Sequence, residues 1–285
     1  MNNTKFKIPK RIADTHKGDY GHILIVAGSA GMTGAAYLAC EAAMISGCGL
    51  VTLAIPESLD AFMAVKLIEA MTMALPETSQ KSLSRGAHGR IMRFCRSKAS
   101  CVLIGPGVSR NNDTQYLMRR LIRDIRVPMV IDADAINALA GHLSCLDGKS
   151  DIVITPHPGE MAGLICCQSA SVNKDKINVA KKFATEYNVT TVLKGHGTIV
   201  ASAKGELFRN NTGNPGMASA GCGDVLSGII SALLASGMPS FEAARLGVYA
   251  HGLAGDLAAK ETGEISLRAR DIIRYLPRVF KKIYG

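Results

Sequence analysis

The sequence is poor in aromatic residues: it has no tryptophan, and Phe, Tyr and Trp together make up 5% of its 285 residues. Single-stranded nucleic acids bind largely by stacking their bases on aromatic side chains. The net charge of +10 therefore gives only weak support to a nucleic-acid-binding or nucleotide-sensing protein, and its basic residues are spread out. We keep that non-catalytic protein as one alternative and expect neither nucleic acid nor membrane as a partner.

Long hydrophobic runs are absent as well. No stretch of 18 apolar residues occurs, so we expect no transmembrane helix. The segment Met1–Lys7 lacks the apolar core of a secretory signal. The eight cysteines form no C-x-x-C pair, so they indicate neither a zinc finger nor a redox motif and favour free thiols in a reducing cytoplasm.

Short β-branched runs alternate with longer helix-like segments. Uninterrupted hydrophobicity within the short runs indicates strands that are buried on both faces. We therefore predict an α/β fold, with a mostly parallel central sheet flanked by helices on both faces, as one domain over residues 1–285. The predicted strands cover residues 23–27, 50–55, 101–104, 128–131, 152–154, 190–193 and 198–203. The predicted helices cover residues 35–46, 114–126, 159–165, 176–187, 224–235, 241–260 and 269–276, the last ending at Pro277. A further short helix is predicted through Asn137 and Leu139.

Glycine-rich and polar turns follow the predicted strands, and parallel sheets bind their ligands at the carboxyl ends of strands. The turn Gly28–Ala36 fits neither a P-loop nor G-x-G-x-x-G. It is either a tight packing turn or an anion site at a helix start. Gly105-Pro106-Gly107 directly follows the predicted strand at residues 101–104 and is either an ordinary turn or part of the ligand-binding edge. Asp132 and Asp134 follow another, where they either serve a magnesium-bound group or act structurally, with Asp134 as a helix cap.

Two further turns carry more specific signals. His157 lies between two prolines at a strand end, which favours a functional role, and Glu160 falls in the following helical turn, where the helix dipole alone would favour it. The turn Lys194-Gly195-His196-Gly197-Thr198 is suited to backbone contacts with a nucleotide, with Lys194 as a phosphate partner.

The segment from Asn211 to Asp224 is the most informative. Gly221-Cys222-Gly223 stands at a predicted helix start, where backbone amides can form an anion hole for a developing phosphoryl charge. Asp224 follows directly and could take a proton from a substrate hydroxyl. The alternative for Asp224 is a helix cap. The density of glycine here favours the catalytic interpretation.

These motifs resemble a known family. Gly-x-Gly-Asp at Gly221–Asp224 is similar to the ribokinase-like superfamily, in which the Asp is the base. Together the motifs resemble the ADP-dependent NAD(P)H-hydrate dehydratases over Lys17 to Pro277. The further motifs, in order, are Lys17–Gly21, Met32–Ala36, Gly105–Gly107, Asp132–Asp134, Thr155–Glu160, Leu193–Gly195 and Gly213–Ala218.

The resemblance implies a ribokinase-like fold and a repair reaction. ADP phosphorylates the hydroxyl of the S form of hydrated NADH or NADPH, and phosphate then leaves, which restores NAD(P)H and gives AMP and phosphate. It further implies Mg²⁺ and a homotetramer. The implied contacts are Ala36, Gly107, His157 and Asp224 for the hydrated cofactor, and Lys194, Gly195, His196, Gly197, Thr198 and Gly223 for the nucleotide. No metal ligand is assigned.

Two differences from the family matter. Cys222 stands where the family usually has Thr, so a hydroxyl is lost while the amides remain, and a low-pKa thiolate there would repel phosphate. Some relatives carry a fused epimerase domain for which this chain lacks room, so we expect a separate NAD(P)H-hydrate epimerase. The alternative enzyme is a small-molecule kinase of the same fold, such as a hydroxyethylthiazole-type kinase, which shares the Gly-x-Gly-Asp motif.

Overall fold

The computed structural model describes Phe6 and residues 11–284. Its elements follow one another as strands and helices in near alternation. The strands are β1 (His22–Val26), β2 (Leu50–Pro56), β3 (Met71–Leu75), β4 (Cys101–Ile104), β5 (Met129–Ile131), β6 (Ile152–Ile154), β7 (Thr190–Leu193), β8 (Ile199–Ala201) and β9 (Leu207–Arg209). The helices are α1 (Thr33–Ile45), α2 (Glu57–Lys66), α3 (His88–Ser97), α4 (Asn112–Asp124), α5 (Asp134–Leu139), α6 (Pro158–Leu164), α7 (Ser169–Lys174), α8 (Lys176–Glu186), α9 (Cys222–Ala235), α10 (Ser240–Thr262) and α11 (Ala269–Tyr284).

One nine-stranded sheet runs through the protein in the order β3-β2-β1-β4-β5-β6-β7-β8-β9. Strands β1 to β7 are parallel, and β8 and β9 are added antiparallel at one edge. The chain first builds outward from β1 to β3 and then resumes on the other side of β1 with β4. The strand order therefore reverses between β1 and β4, which is where open parallel sheets leave a crevice at their carboxyl ends.

Each face of the sheet carries its own hydrophobic core. Ile23 and Ile25 of β1 face the core that holds α1, α9, α10 and α11. Leu24 and Val26 face the opposite core, which α3, α4, α5 and α8 cover. Because side chains alternate along a strand, these uninterrupted apolar runs require helices on both sides. The predicted mostly parallel α/β architecture is confirmed.

The helices α1 and α9 pack closely because small residues line their contact. A Cβ atom placed at Gly228 of α9 would overlap the carbonyl oxygen of Ala39 in α1, and one placed at Gly221 would contact Leu38 at 2.5 Å. This close packing holds the start of α9 beside the start of α1.

The prediction that the last helix ends at Pro277 is wrong, because α11 continues through Pro277 to Tyr284. A proline inside a helix costs about 3 kcal/mol. Leu276, Val279 and Phe280 are buried along the same face, and burying such side chains contributes about 1.5–3 kcal/mol each, so the apolar stripe outweighs the proline. Sequence analysis also missed β3, β9, α2, α3 and α7.

The eight cysteines are free thiols in the structure. Cys166 and Cys167 are exposed, Cys145 is half-buried, and the other five are buried. Among the described residues, no helix combines the length and apolarity that a bilayer crossing requires.

Candidate active site

Three neighbouring strands each place a charged or polar side chain at the same edge of the sheet. Asp132 follows β5, Thr155 follows β6 and Lys194 follows β7. The Lys194 Nζ lies 2.9 Å from Asp132 Oδ1, and the Thr155 hydroxyl donates to the same oxygen at 2.7 Å. Since Asp132 is only 1% exposed, its carboxylate is held from both sides. This supports the structural interpretation of Asp132: it fixes the lysine.

Glu160 completes this charged cluster from the first turn of α6. Its Oε2 lies 3.7 Å from Lys194 Nζ, and its side chain is 8% exposed. Burial raises the pKa of Glu160, and the ammonium of Lys194 opposes that shift. Burial alone would lower the pKa of Lys194, but Asp132 and Glu160 outweigh it and hold that pKa above its ordinary value. Lys194 therefore carries a positive charge inside an acidic cluster.

The ammonium of Lys194 also lies beside the start of α9. A Cβ atom placed at Gly223 would lie 3.6 Å from its Nζ. Gly221 precedes the helix in the left-handed conformation, with φ of 90°, which a glycine adopts without strain. The Cys222 amide donates to the Ser219 carbonyl at 3.4 Å. Within the described residues, the amides of Gly221, Gly223 and Asp224 have no such partner. Of the predicted anion hole Gly221-Cys222-Gly223, the Cys222 amide is thus engaged within the chain, and the open end of the helix is formed by the other two amides together with that of Asp224.

Asp224 lies in the first turn of α9 without capping it. The N-cap is Gly221, which makes no side-chain cap bond. Among the described residues, none donates a hydrogen bond to the Asp224 carboxylate. Burial raises the pKa of Asp224 to about 7, with Asp132 the next cause and Lys194 opposing it. A carboxylate with that pKa can accept a proton near neutral pH, as a general base requires.

His157 is the N-cap of α6. Its Nδ1 accepts hydrogen bonds from the amides of Gly159 at 3.0 Å and Glu160 at 3.1 Å, while Glu160 Oε2 accepts from the His157 amide at 2.7 Å. Because Nδ1 is an acceptor, the proton of the neutral ring lies on Nε2. That nitrogen is 3.5 Å from Glu160 Oε1, and the side chain is 57% exposed. His157 therefore presents an N–H donor at the surface of the site.

The turns after β1 and β4 are tied together at the point where the strand order reverses. The Gly28 amide donates to the Pro106 carbonyl at 2.9 Å, and the Ser29 hydroxyl donates to the Gly107 carbonyl at 2.8 Å. Gly107 has a φ of 61°, and a Cβ atom there would lie 2.9 Å from the Met32 carbonyl oxygen. Ala36 is 0% exposed. Of the residues expected to contact the hydrated cofactor, Ala36 and Gly107 are buried under these turns. They therefore support the backbone that surrounds the crevice at the carboxyl ends of β1 and β4.

Asp134 does not cap the helix that follows it, contrary to one of the two alternatives. The N-cap of α5 is Ala133, with a positive φ of 49°. Asp134 instead accepts a hydrogen bond from the Ser109 amide at 3.0 Å. It thereby fastens the segment after Gly107 to the end of β5.

A cavity of about 470 Å³ opens beside the charged cluster. The residues expected to bind the nucleotide all line it: Lys194, Gly195, His196, Gly197, Thr198 and Gly223. The loop from Asn210 to Ala218 forms a second wall, and helices α9 and α10 form the remainder with Cys222, Leu226, Val248, His251 and Gly252. Ala36, Gly107, His157 and Asp224 are not among its lining residues. The structure therefore separates the expected nucleotide side from the expected substrate side.

Sequence analysis missed the contribution of α10 to this cavity. Val248, His251 and Gly252 lie within a segment that the sequence pattern predicts as an ordinary apolar helix. The sequence signal that could have indicated it is His251 with glycines at positions 252 and 255 of the same helix. Gly252 and Gly255 let the helix approach the loop, because Cβ atoms there would overlap Thr212 and Met217.

Cys222 lines the cavity as a neutral thiol. Burial raises its pKa, and the hydrogen bond between its sulfur and the Ser219 hydroxyl, 3.3 Å apart, offsets only part of that shift. The thiolate that would repel phosphate is therefore not formed at neutral pH.

Comparison with known proteins identifies the family and the fold. The sequence profile described as NAD(P)H-hydrate dehydratase matches residues 23–278. The chain belongs to the NAD(P)H-hydrate dehydratase family. It is 44% identical over 278 residues to the bifunctional NAD(P)H-hydrate repair enzyme Nnr of Moorella thermoacetica, covering 97% of this chain and 52% of that protein.

Two further relatives within this family are informative. The ADP-dependent (S)-NAD(P)H-hydrate dehydratase of Neisseria meningitidis is 35% identical over 89% of this chain and 82% of its own length. The ADP/ATP-dependent NAD(P)H-hydrate dehydratase of Bacillus subtilis, co-crystallised with ATP and Mg²⁺, superposes with a TM-score of 0.82 at 28% identity, covering 99% of this chain and 100% of that one. A ribokinase-like superfamily protein of Enterococcus faecalis superposes with a TM-score of 0.85 at 28% identity, covering 97% of this chain and 92% of that one. The fold is therefore ribokinase-like. The chain spans about half the length of the bifunctional relatives that it matches.

Proposed function

We propose that this protein is an ADP-dependent dehydratase that returns the S form of hydrated NADH or NADPH to NAD(P)H, with AMP and phosphate as the other products. The observation that carries this proposal is Asp224, a carboxylate with a pKa of about 7 at the open start of α9, next to a cavity that all the expected nucleotide residues line. Membership of the dehydratase family supports the same reaction.

The residues divide the chemistry between them. Asp224 takes the proton from the substrate hydroxyl. The hydroxyl oxygen forms a bond to the β-phosphorus of ADP, and the bond between that phosphorus and the oxygen that bridges the two phosphates breaks, which releases AMP. The amides of Gly223 and Asp224, with Lys194 beside them, stabilise the negative charge that spreads over the phosphoryl oxygens. Phosphate then leaves together with a ring proton, which restores the dihydropyridine.

Mg²⁺ belongs to this proposal as an ion held mainly by the nucleotide. The described residues contain no group of three or more His, Cys, Asp or Glu that could hold a metal. Mg²⁺ usually keeps several waters and needs only one or two protein carboxylates besides substrate phosphates, so the site fits such an ion. Asp132 and Glu160 are the carboxylates beside the cavity that would hold it. The ion would supply neutralisation of phosphate charge.

Three features of the working protein are part of the proposal. The buried free thiols suit a reducing cytoplasm. A homotetramer is expected from the family resemblance. Functional pairing with an NAD(P)H-hydrate epimerase is expected from the same resemblance, and the relatives named as bifunctional NAD(P)H-hydrate repair enzymes support it.

The reaction is tested by incubating prepared NADH hydrate with the protein, magnesium and either ADP, ATP or no nucleotide. Recovery of the near-ultraviolet absorbance of reduced nicotinamide with ADP, and little recovery without nucleotide, is the expected result. Recovery with ATP alone would keep the dehydration and change the donor. A stable phosphorylated product without phosphate release would favour the kinase alternative, whose fold is shared by the hydroxyethylthiazole kinase of Pyrococcus horikoshii, with a TM-score of 0.62 at 14% identity.

A further inference from the structure

The turn from Lys194 to Thr198 lies between two cavities. One is the cavity of about 470 Å³ that the expected nucleotide residues line, and the other is smaller, at about 230 Å³. His196 and Gly197 line both. Lys176, at the start of α8, and Arg209, at the end of β9, line only the smaller one. Two cations therefore cover the side of the turn that faces away from the larger cavity.

Lys176 contacts the backbone of this turn directly. Its Nζ donates a hydrogen bond to the His196 carbonyl at 3.0 Å, and a Cβ atom placed at Gly195 would lie 3.3 Å from the same nitrogen. The Thr198 hydroxyl donates to the Gly195 carbonyl at 2.9 Å. The carbonyls of Gly195 and His196 are therefore both engaged within the chain.

The amides of the turn are in the opposite state. Within the described residues, those of Gly195, His196 and Gly197 donate no hydrogen bond. The carbonyl and the N–H of a trans peptide point in opposite directions, and the described part of the chain contains no cis peptide bond. Because Lys176 holds the His196 carbonyl, the N–H of Gly197 points away from Lys176.

The backbone of the turn does not fix this orientation by itself. Gly195 and Gly197, on either side of His196, have φ values of 118° and 60°. A glycine reaches other backbone conformations at little cost, so the peptide plane between His196 and Gly197 is free to rotate unless a contact holds it. The hydrogen bond from Lys176 is that contact.

The ammonium of Lys176 is not committed to an acidic side chain. Among the described residues, neither Lys176 nor Arg209 forms an ion pair with a carboxylate. The carboxylate of Asp175, the preceding residue, accepts hydrogen bonds from the backbone and side-chain amides of Asn178 instead. Burial and the positive charge of Arg209 both lower the pKa of Lys176. The His196 carbonyl is therefore the polar group that Lys176 serves.

We propose that Lys176 is a positioning residue for the nucleotide: by holding the His196 carbonyl, it directs the Gly197 amide toward the nucleotide in the larger cavity. A turn that is ordered before the ligand arrives loses less conformational freedom on binding, which favours affinity. This inference rests on the nucleotide site of the proposed function, but it requires only that ADP binds, not that dehydration follows.

Calorimetric titration of the full chain with ADP and Mg²⁺ tests the inference on Lys176→Met. Since a hydrogen bond from a charged donor is stronger than a neutral one, its loss should weaken ADP binding about threefold to thirtyfold. Lys176→Arg keeps a charged donor and should recover most of that affinity. Lys182→Met is the matched control, because it removes the same charge from an exposed position of α8 and should leave ADP affinity unchanged.

Steady-state kinetics and thermal unfolding separate positioning from other roles. Lys176→Met should raise the KM for ADP and leave kcat nearly unchanged, because Asp224 and the start of α9 are untouched. Without nucleotide, the Tm of this variant should fall by at most about 4 °C, because a single hydrogen bond at the surface is lost. A large fall in Tm with unchanged ADP affinity would assign Lys176 a structural role only.

Failure of the inference and failure of the proposed function give different results. Equal ADP affinity in Lys176→Met and the wild type, equal losses in Lys176→Met and Lys182→Met, or no recovery in Lys176→Arg would each overturn the inference, even in an active dehydratase. ADP binding that depends on Lys176 in a protein without dehydratase activity would keep the inference and overturn the proposed function. A wild type that binds no ADP would overturn both.

Discussion

The two sides of the site use glycine-rich turns in opposite ways. At the reversal of strand order between β1 and β4, the turns bond to each other, and Ala36 and Gly107 lie buried beneath them. Beyond β7, the turn from Lys194 to Thr198, the loop from Asn210 to Ala218 and parts of α9 and α10 line a cavity of about 470 Å³. The turns after β1 and β4 are thus packed against each other and support a surface, whereas the turn after β7 lines a cavity that has room for a ligand. A glycine-rich motif thus does not by itself distinguish structure from binding.

The largest effect on turnover is expected from a substitution of Asp224, which lies directly after the cavity-lining Gly223, between the two sides of the site. Asp224→Asn should lower turnover by about 100- to 10,000-fold, the usual contribution of a general base, while ADP affinity changes little because the cavity lining is untouched. Steady-state kinetics and ADP titration measure the two quantities. Near-normal turnover in this variant would exclude Asp224 as the base.

The raised pKa of Asp224 gives this prediction a pH dependence. Because the base must be deprotonated, wild-type kcat/KM should rise with pH and level off above about 7. The folded state binds this proton more tightly than the unfolded state, so the carboxyl stabilises the fold at low pH and that contribution is lost as pH rises through about 7. The Tm advantage of Asp224→Asn over the wild type should therefore be larger at pH 8 than at pH 5.

Lys194 should give the next largest effect, on stability. Lys194→Met leaves Asp132 and Glu160 buried without their cation, and loss of one partner of a buried ion pair costs about 3–5 kcal/mol. Chemical denaturation should report that loss.

The matched control combines Lys194→Met with Asp132→Asn. Removing both charges should cost less than the sum of the two single changes, because the groups are in direct contact. Additive losses would show that the pair is not coupled as the 2.9 Å contact indicates.

Gly107→Ala tests the packed turns after β1 and β4, with a smaller expected effect. A Cβ atom at φ of 61° and 2.9 Å from the Met32 carbonyl should cost about 1–3 kcal/mol and weaken binding of the hydrated cofactor, while ADP binding persists. Gly34→Ala is the control, since nothing lies within 4 Å of a Cβ there and stability should change by at most about 1 kcal/mol. If the Gly107 variant loses ADP and substrate affinity equally, the two sides are not separate.

Cys222→Thr should have the smallest effect. It restores the residue usual in the family, and one neutral hydrogen bond contributes about 1 kcal/mol, so nucleotide affinity should change by less than about tenfold. Cys222→Asp is the informative contrast, because an anion at this position should abolish phosphate binding in the same titration. Retained ADP affinity in the Asp variant would place the phosphates away from α9.

Seven of the nine strands, and the charged turns that follow three of them, could be predicted because each rests on a local pattern. The strand Cys101–Ile104 and the site residues from Lys194 to Asp224 follow from short apolar runs and glycine spacing. The helix end predicted at Pro277 was wrong because burial of a whole face of α11 outweighed the local cost of a proline inside the helix. The Lys194–Asp132 pair, separated by 62 residues along the chain, and the wall formed by His251 depend on which strands and helices become neighbours, and no local pattern carries that information.

The distribution of thiols has a practical consequence for following this protein in solution. Cys166 and Cys167 are open to a thiol reagent in the folded state, whereas the buried cysteines become reactive only when their surroundings open. The rate of alkylation at each cysteine therefore reports how often the structure around that residue opens. Because Cys222 lines the cavity, a bound nucleotide should slow its alkylation, whereas the alkylation rate of the exposed Cys166 should not change.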